Sequence, residues 1–382
     1  MRRSGIIAAV GALVLAFVGA APAAPSDVAT RIADARALEK SDVGALLTQF
    51  RELARAKPAA EELPAHLDFL AEYVVTEPAR ALRLAALHAG AHLDAKGLAQ
   101  RLVQRADGED TARTCYAIEG LGYVGAGTDV PRLLELGRSP STAIGVEAVE
   151  AVARLGGKKD VDALIEIALD HTSPEVADHA AWAAQDLVGK QKALLPKLKK
   201  AAGKTRAARA GSIEAMLMDN KDAFTWRPNL DEAVELLAAA PATIEVRAAD
   251  PAYEKLVRDS MQWLAENLPA TELLVRAAAV RFEMPANPPD AHVDTQNLVV
   301  GIPLNYASQP PSKLAYHLAR AGTVLFAKRI GEPFERHRGW ENAIADSFDV
   351  CVAAKLYDAH TGAISREKFV SERLAQRPWG GN

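Results

Sequence analysis

Two histidines, His88 and His92, have the spacing in this chain that best suits chemistry. They stand four residues apart, so on a helix both imidazoles would lie on one face, where such a pair can bind a metal ion. No carboxylate stands between them as in a His-Glu-x-x-His site, and no third ligand is recognisable in the sequence. We therefore predict two histidines that pack at the surface or inside a helical hairpin, with neither a metal site nor a cofactor.

A second group of polar residues surrounds Trp340 and comprises Glu335, His337, Arg338 and Glu341. His337 and Glu341 could place a general base in a groove beside the aromatic ring. A salt-bridge network at the start of a helix explains the same residues without any chemistry. We therefore assign no catalytic residue.

Basic side chains are densest between residues 190 and 209, where no acidic residue interrupts them. Leucines are interleaved, which predicts a helix with an apolar stripe beneath a basic face. Such a face could bind a protein, an anionic polymer or lipid headgroups, and a solvated outer helix is the alternative. Nucleic acid is not an expected partner, because no aromatic residues for base stacking accompany the lysines. The candidate partner-binding residues are Lys190, Lys192, Lys197, Lys199, Lys200, Lys204, Arg206 and Arg209.

The elements that position these residues are helices, and part of the helical pattern repeats. The stretch Gly122–Leu136 returns as Leu155–Ile167, with Asp129 matched by Asp160 31 positions later. Each unit has a first helix, a glycine-bearing turn and a second helix opened by the aspartate, whose carboxylate can accept backbone N–H groups at a helix start. In the third unit Ser173 is the predicted N-cap. The predicted first helices are 111–124, 144–155 and 176–188.

These residues resemble the HEAT-like repeat family, especially its short bacterial branch related to bilin-lyase repeats. The resemblance covers roughly 80 residues and weakens in the third unit. The period of 31 residues is in the range typical of solenoid repeats. It implies an all-α fold, a curved two-layer α-α superhelix whose units bury their apolar faces against one another. The family does not specify a ligand, because such repeats serve many roles.

The N-terminus has the pattern of a secretory signal. Arg2 and Arg3 precede an apolar run from Gly5 to Ala20, and small residues follow it. The run is about 16 residues long, shorter than the roughly 20 that a spanning helix needs. We predict cleavage near residues 20–24 and export to the periplasm, the cell envelope or the outside. An uncleaved anchor is the alternative, and no later stretch is apolar enough to span a bilayer.

The predicted organisation has four regions: a signal peptide (1–24), N-terminal helical hairpins (25–106), HEAT-like repeats (107–222) and a helical C-terminal region (223–382). A proline-rich irregular segment, 284–311, interrupts the last region and is either a contact surface or a loop packed along the solenoid.

The chain has two cysteines, Cys115 and Cys351. Cys115 falls in the apolar pattern of a predicted helix, which favours a buried thiol over a disulfide with Cys351. Both alternatives stay open.

The function favoured by these observations is an exported, non-enzymatic scaffold that holds a protein or an anionic partner on its helical repeats. The net charge of -4 gives no general attraction to nucleic acid. The alternative is a hydrolase-like or lyase-like enzyme with a C-terminal active site, for which the repeats present the substrate. Lyase or chaperone action on a chromophore-bearing protein is a third hypothesis, which only the family resemblance implies.

Overall fold

The computed structural model describes residues 28–77, 79–106, 111–189, 209–211, 213, 226, 229–248, 250–284, 292–302 and 311–332. The helices within these ranges are α1 Val28–Ser41, α2 Val43–Arg55, α3 Leu63–Thr76, α4 Arg80–Arg105, α5 Thr111–Val124, α6 Val130–Leu136, α7 Thr142–Leu155, α8 Val161–Asp170, α9 Pro174–Val188, α10 Leu230–Ala238, α11 Pro251–Asn267, α12 Pro269–Ala278 and α13 Pro311–Arg329. The strands are β1 Glu245–Arg247, β2 Arg281–Glu283, β3 His292–Asp294 and β4 Val299–Gly301. The all-α fold class is confirmed. No helix in the described part of the chain is long and apolar enough to cross a membrane.

The chain divides into two compact units, and the division falls inside α4, between Leu98 and Ala99. Asp94 has extended backbone angles (φ −168°, ψ 94°) that break α4 into two helices across a kink. Its Oδ1 accepts a hydrogen bond from the Gly97 amide at 2.9 Å, so Asp94 acts as the N-cap of the second half. The second unit begins shortly after this cap.

The second unit contains the repeats. The first helices α5, α7 and α9 pack on one another in succession, while α6 packs on α7 and α8 packs on α9. Their inward side chains are apolar and buried, among them Ile118, Val149, Leu164 and Ala180. This stacking gives the repeats one continuous interior, as the predicted α-α solenoid requires.

The turns of successive repeats have the same hydrogen bonds. Asp129 Oδ2 accepts from the Ala126 amide at 2.8 Å, and Asp160 Oδ2 accepts from the Gly157 amide at 2.9 Å. The prediction that Asp129 and Asp160 open the second helices is confirmed, since they are the N-cap residues of α6 and α8. Their carboxylates, however, accept from amides of the preceding turn and not from amides of the helix itself. Ser173 is confirmed as the N-cap of α9, where its Oγ accepts from a backbone amide at 3.5 Å.

The first unit combines residues 28–98 with residues 229–332. Helix α12 packs against both α1 and α2, and α10 packs against α2. An aromatic cluster fills the N-terminal part, with ring-centroid separations of 5.1 Å between Phe50 and Tyr73 and 6.0 Å between Phe69 and Tyr73. The guanidinium of Arg31 lies 4.3 Å above the Phe69 ring, and burial lowers the pKa of Arg31 to about 10.

Two ion pairs join distant segments of this unit. Arg80, at the start of α4, forms a buried bidentate pair with Glu332, which follows α13. Arg51 of α2 binds Glu235 of α10, with Nη2 and Oε1 2.8 Å apart, at the surface. Both pairs connect the N-terminal helices with residues that come more than a hundred positions later.

A small sheet lies in the C-terminal part of the first unit, in the order β1-β2-β4-β3. The pairs β1–β2 and β2–β4 are parallel, and β3–β4 is antiparallel. Phe282 of β2 and Val300 of β4 pair in register and are fully buried. These strands were not predicted from the sequence, because three residues are too few to show an alternating pattern.

The segment predicted to be irregular, 284–311, contributes β3 and β4 to this sheet. Asp294 organises the turn between them: its Oδ1 accepts from the amides of Gln296 (3.0 Å) and Asn297 (2.9 Å). Asn297 also donates through Nδ2 to Asp294 Oδ2 at 2.8 Å. Asp294 and Asn297 therefore satisfy the local turn, which is the role these residue types commonly have.

Candidate functional site

The repeats bring three titratable side chains together at the contact between α7 and α9. Glu150 and Arg154 are one turn apart on α7, so they share a helix face. Glu150 Oε1 lies 3.0 Å from His179 Nδ1, and Glu150 Oε2 lies 3.8 Å from Arg154 Nη2. Arg154 and His179 are buried, whereas Glu150 is half-buried. The carboxylate thus lies between two groups that can carry positive charge, in a place with little water.

Aromatic rings surround this charged group. The Arg154 guanidinium carbon is 5.6 Å from the ring centroid of Tyr123 and 5.4 Å from that of Trp226. The His179 ring meets Trp182 edge-on, with centroids 4.8 Å apart. Cation–π contacts at these distances contribute about 0.5 to 2 kcal/mol each, depending on solvation. We call this group the aromatic–arginine cluster: Tyr123, Glu150, Arg154, His179, Trp182 and Trp226.

The cluster has a buried base and a half-buried rim. Tyr123, Arg154 and His179 form the base, and Trp182 and Trp226 are each partly open to solvent. Tryptophan, tyrosine and arginine are the residue types that dominate the energetics of protein–protein contacts, above all where packing holds them rigid. The cluster contains no serine, threonine or cysteine that could act as a nucleophile. Its aromatic rings and its buried arginine suit contact with another molecule.

The repeat register of the sequence contains a signal for this cluster. The 31-residue register that relates Asp129 to Asp160 also relates Tyr123 to Arg154. Arg154 therefore occupies a position of the repeat that faces the neighbouring first helix. Gly122 allows the approach, because a Cβ there would lie 2.7 Å from Arg154 Nη1. His179 and Trp226 join the cluster through tertiary packing, which the repeat register of the sequence does not indicate.

Of the predicted basic face, only Arg209 belongs to the described residues. Its Nη1 donates to the carbonyl of Leu169 at 3.3 Å and to the carbonyl of His171. These carbonyls lie at the C-terminal end of α8, where a cation is favoured by the helix dipole. Arg209 thus secures a helix end. The other seven predicted residues lie outside the described residues, and their role in binding stays a prediction: Lys190, Lys192, Lys197, Lys199, Lys200, Lys204 and Arg206.

Two further sequence candidates lie outside the described residues. His337 and Glu341 are there, so the C-terminal general-base hypothesis stays untested. Cys351 is there as well, whereas Cys115 is buried within α5. The pairing of the two cysteines stays open.

A family model described as HEAT repeats matches residues 95–185. The matched region starts directly after the Asp94 cap and ends inside α9, so it coincides with the stacked helices of the second unit. Searches of curated proteins and of solved structures each found no match. The finer relation to bilin-lyase repeats stays a prediction. The sequence repeat, the stacking of α5, α7 and α9 and the family match agree that residues 95–185 of this chain are similar to HEAT repeats.

Proposed function

We propose that this protein is an exported scaffold without enzymatic activity, which holds a protein partner on its helical repeats through the aromatic–arginine cluster. HEAT repeats generally mediate protein interaction and scaffolding. The observation that carries the proposal is the cluster itself, in which half-buried Trp226 borders the buried Arg154 of α7 and half-buried Trp182 borders the buried His179 of α9.

The physical properties of the cluster suit a contact surface. Trp182 and Trp226 offer large apolar area with little side-chain entropy to lose on binding. The packing of α7 against α9 fixes Arg154 and His179 beneath them, so the surface is formed before the partner arrives. A preorganised surface binds more tightly than one that must first be ordered.

Export rests on the sequence alone. Arg2 and Arg3, the apolar run to Ala20 and the small residues after it support a secretory signal. Residues 1–27 lie outside the described residues. The measurement is N-terminal sequencing of the protein recovered from the cell envelope and from the medium, with the mature chain expected to start between residues 21 and 25. An intact Met1 in the cytosolic fraction would contradict export and leave the binding proposal unaffected.

Site-specific cross-linking tests the binding proposal. A photoreactive amino acid is placed at position 182 and, as a matched control, at Lys159, which is exposed on a turn of the same repeats. We expect one reproducible cross-linked protein from position 182 and none from position 159. The captured protein is then purified, and its affinity for the wild type and for Trp182→Ala is measured.

Loss of a tryptophan at a protein contact commonly weakens binding by about 2 kcal/mol or more, roughly 30-fold. Far-UV circular dichroism checks that Trp182→Ala keeps its helices. Equal cross-linking from both positions, or unchanged affinity of the folded Trp182→Ala variant, would refute the assignment of this surface.

A further inference from the structure

His88 and His92 lie on one face of α4, in the first unit. Their ring centroids are 4.5 Å apart. The His88 side chain is largely buried at 13% exposure, while that of His92 is 48% exposed. One imidazole is thus held by its surroundings, and the other can adjust its position.

A carboxylate from a distant part of the chain faces both rings. Asp231 lies in the first turn of α10, which Asn229 caps by accepting from the Glu232 amide at 3.1 Å. Asp231 Oδ1 is 3.0 Å from Nε2 of His88 and 2.8 Å from Nε2 of His92. Asp231 lies 139 positions after His92 in the sequence, which explains why no third ligand was recognisable there.

The three side chains have the donor set of a transition-metal site. Imidazole nitrogen and carboxylate oxygen are the ligands that zinc and other first-row divalent ions take up, whereas calcium and magnesium prefer oxygen alone. The potential ligand atoms all lie within 4.8 Å of one another. Ligand bonds of about 2.0 to 2.1 Å place tetrahedral ligand atoms about 3.3 Å apart. The two Asp231–imidazole distances must therefore lengthen by only a few tenths of an ångström, and the two imidazole nitrogens, which lie within 4.8 Å of each other, must reach the same separation.

The exposure of the ligands allows that movement. The Asp231 side chain is 69% exposed, so no packed neighbour fixes its rotamer. Glu235 lies one turn beyond Asp231 on the same helix and is bound by Arg51 at 2.8 Å. Glu235 is thereby engaged by a cation, and Asp231 is the carboxylate of α10 that meets the histidines.

We propose that His88, His92 and Asp231 form a binding site for a divalent transition metal of the zinc class, with the remaining coordination positions open to solvent. The ion links α4 to α10 and so connects the N-terminal and C-terminal segments of the first unit. This inference is independent of the proposed scaffold function. It also departs from the sequence prediction, which lacked the carboxylate.

A competition titration tests the site. Zn²⁺ is titrated into the full-length protein in the presence of a chromogenic chelator, and the same titration is run for Asp231→Asn and His92→Gln. Both substituted residues are well exposed, so the variants are expected to keep the wild-type circular dichroism spectrum. We expect one Zn²⁺ per wild-type chain and an affinity at least about tenfold lower in each variant, because each lacks one of three ligands.

The matched control is Asp259→Asn, which removes a half-exposed carboxylate of α11 that pairs with Lys255. It should bind Zn²⁺ as the wild type does. Co²⁺ provides a second readout, since d–d absorption bands of the protein-bound ion should appear in the wild type and disappear in Asp231→Asn. Absence of Zn²⁺ binding by the wild type, or Zn²⁺ affinity in Asp231→Asn equal to that of the wild type, would overturn the proposal and leave a hydrogen-bonded His–Asp–His cluster.

Discussion

The stacking of first helices predicts a strong effect for Gly145→Ala. Gly145 lies in the first turns of α7, and an added Cβ would be 2.8 Å from Cγ2 and 3.1 Å from Cγ1 of Val176 on α9. Carbon atoms in good contact are about 3.5 to 4.0 Å apart, so the helices must separate by roughly half an ångström or more. Overpacking of this kind costs about 1 to 3 kcal/mol, and the better helix propensity of alanine returns about 1. We expect a net loss of about 1 kcal/mol.

The companion variant Val176→Ala gives this prediction its test. Val176 is fully buried, so its truncation alone should lower the free energy of unfolding by about 2.5 kcal/mol, from lost burial plus a cavity. In the double variant the alanine at 145 enters the space that the two methyl groups leave. The double variant should therefore lose about 1.5 kcal/mol, less than the sum of about 3.5. A coupling of about 2 kcal/mol is within the range found for residues in contact.

Urea unfolding followed by circular dichroism measures the four free energies. Hydrogen–deuterium exchange of peptides from α7 and α9 assigns the change to these helices. Gly157→Ala is the control, because a Cβ there has no atom within 4 Å, and its effect should stay within about 0.5 kcal/mol. If Gly145→Ala matches this control, or if the double variant equals the sum of the single ones, α7 and α9 do not pack as described.

Two other perturbations test the first unit. Glu332→Ala removes the Glu332 carboxylate from buried Arg80 and should lower the free energy of unfolding by about 3 to 5 kcal/mol, measured by urea unfolding. The double variant Arg80→Met with Glu332→Leu should recover most of this lost stability. For His66, burial and the neighbouring Arg31 lower the pKa below 6.5, so the folded state binds fewer protons than the unfolded state. The stability that neutral His66 contributes is complete above pH 6.5 and declines as the pH falls below it. On acidification the urea concentration at the unfolding midpoint should therefore fall more for the wild type than for His66→Gln. Equal pH profiles of the two proteins would contradict this.

The helices of the repeats could be predicted from the sequence because their apolar periodicity and turn residues recur. The first helix 111–124 has the predicted bounds, and α9 begins at Pro174, directly after its predicted N-cap Ser173, since proline fits the first helical turn. The packing of α12 on α1 and α2 was not predictable. It joins segments more than two hundred positions apart, and the apolar pattern of a helix does not identify its neighbour.

Only part of the aromatic–arginine cluster could be predicted from the sequence. Tyr123 and Arg154 occupy equivalent positions of the repeat, so the register alone places them on one face. His179 and Trp226 join them through contacts that the register does not contain. A buried arginine at a repeated position is therefore a useful signal in such proteins, because its burial needs partners that the neighbouring units must supply.

The ligands of the candidate metal site were also partly predictable, because their spacing along each helix is visible in the sequence. A spacing of four residues places His88 beside His92 on α4, and the same spacing places Asp231 beside Glu235 on α10. Each pair is visible in the sequence as one face of a helix. Their meeting depends on the packing of the first unit, in which α10 contacts both α2 and α12. Arg51 of α2 binds Glu235, while Asp231 faces the histidines. Local spacing thus identifies the ligands available to a metal ion, but only the fold of the first unit determines that three of them converge.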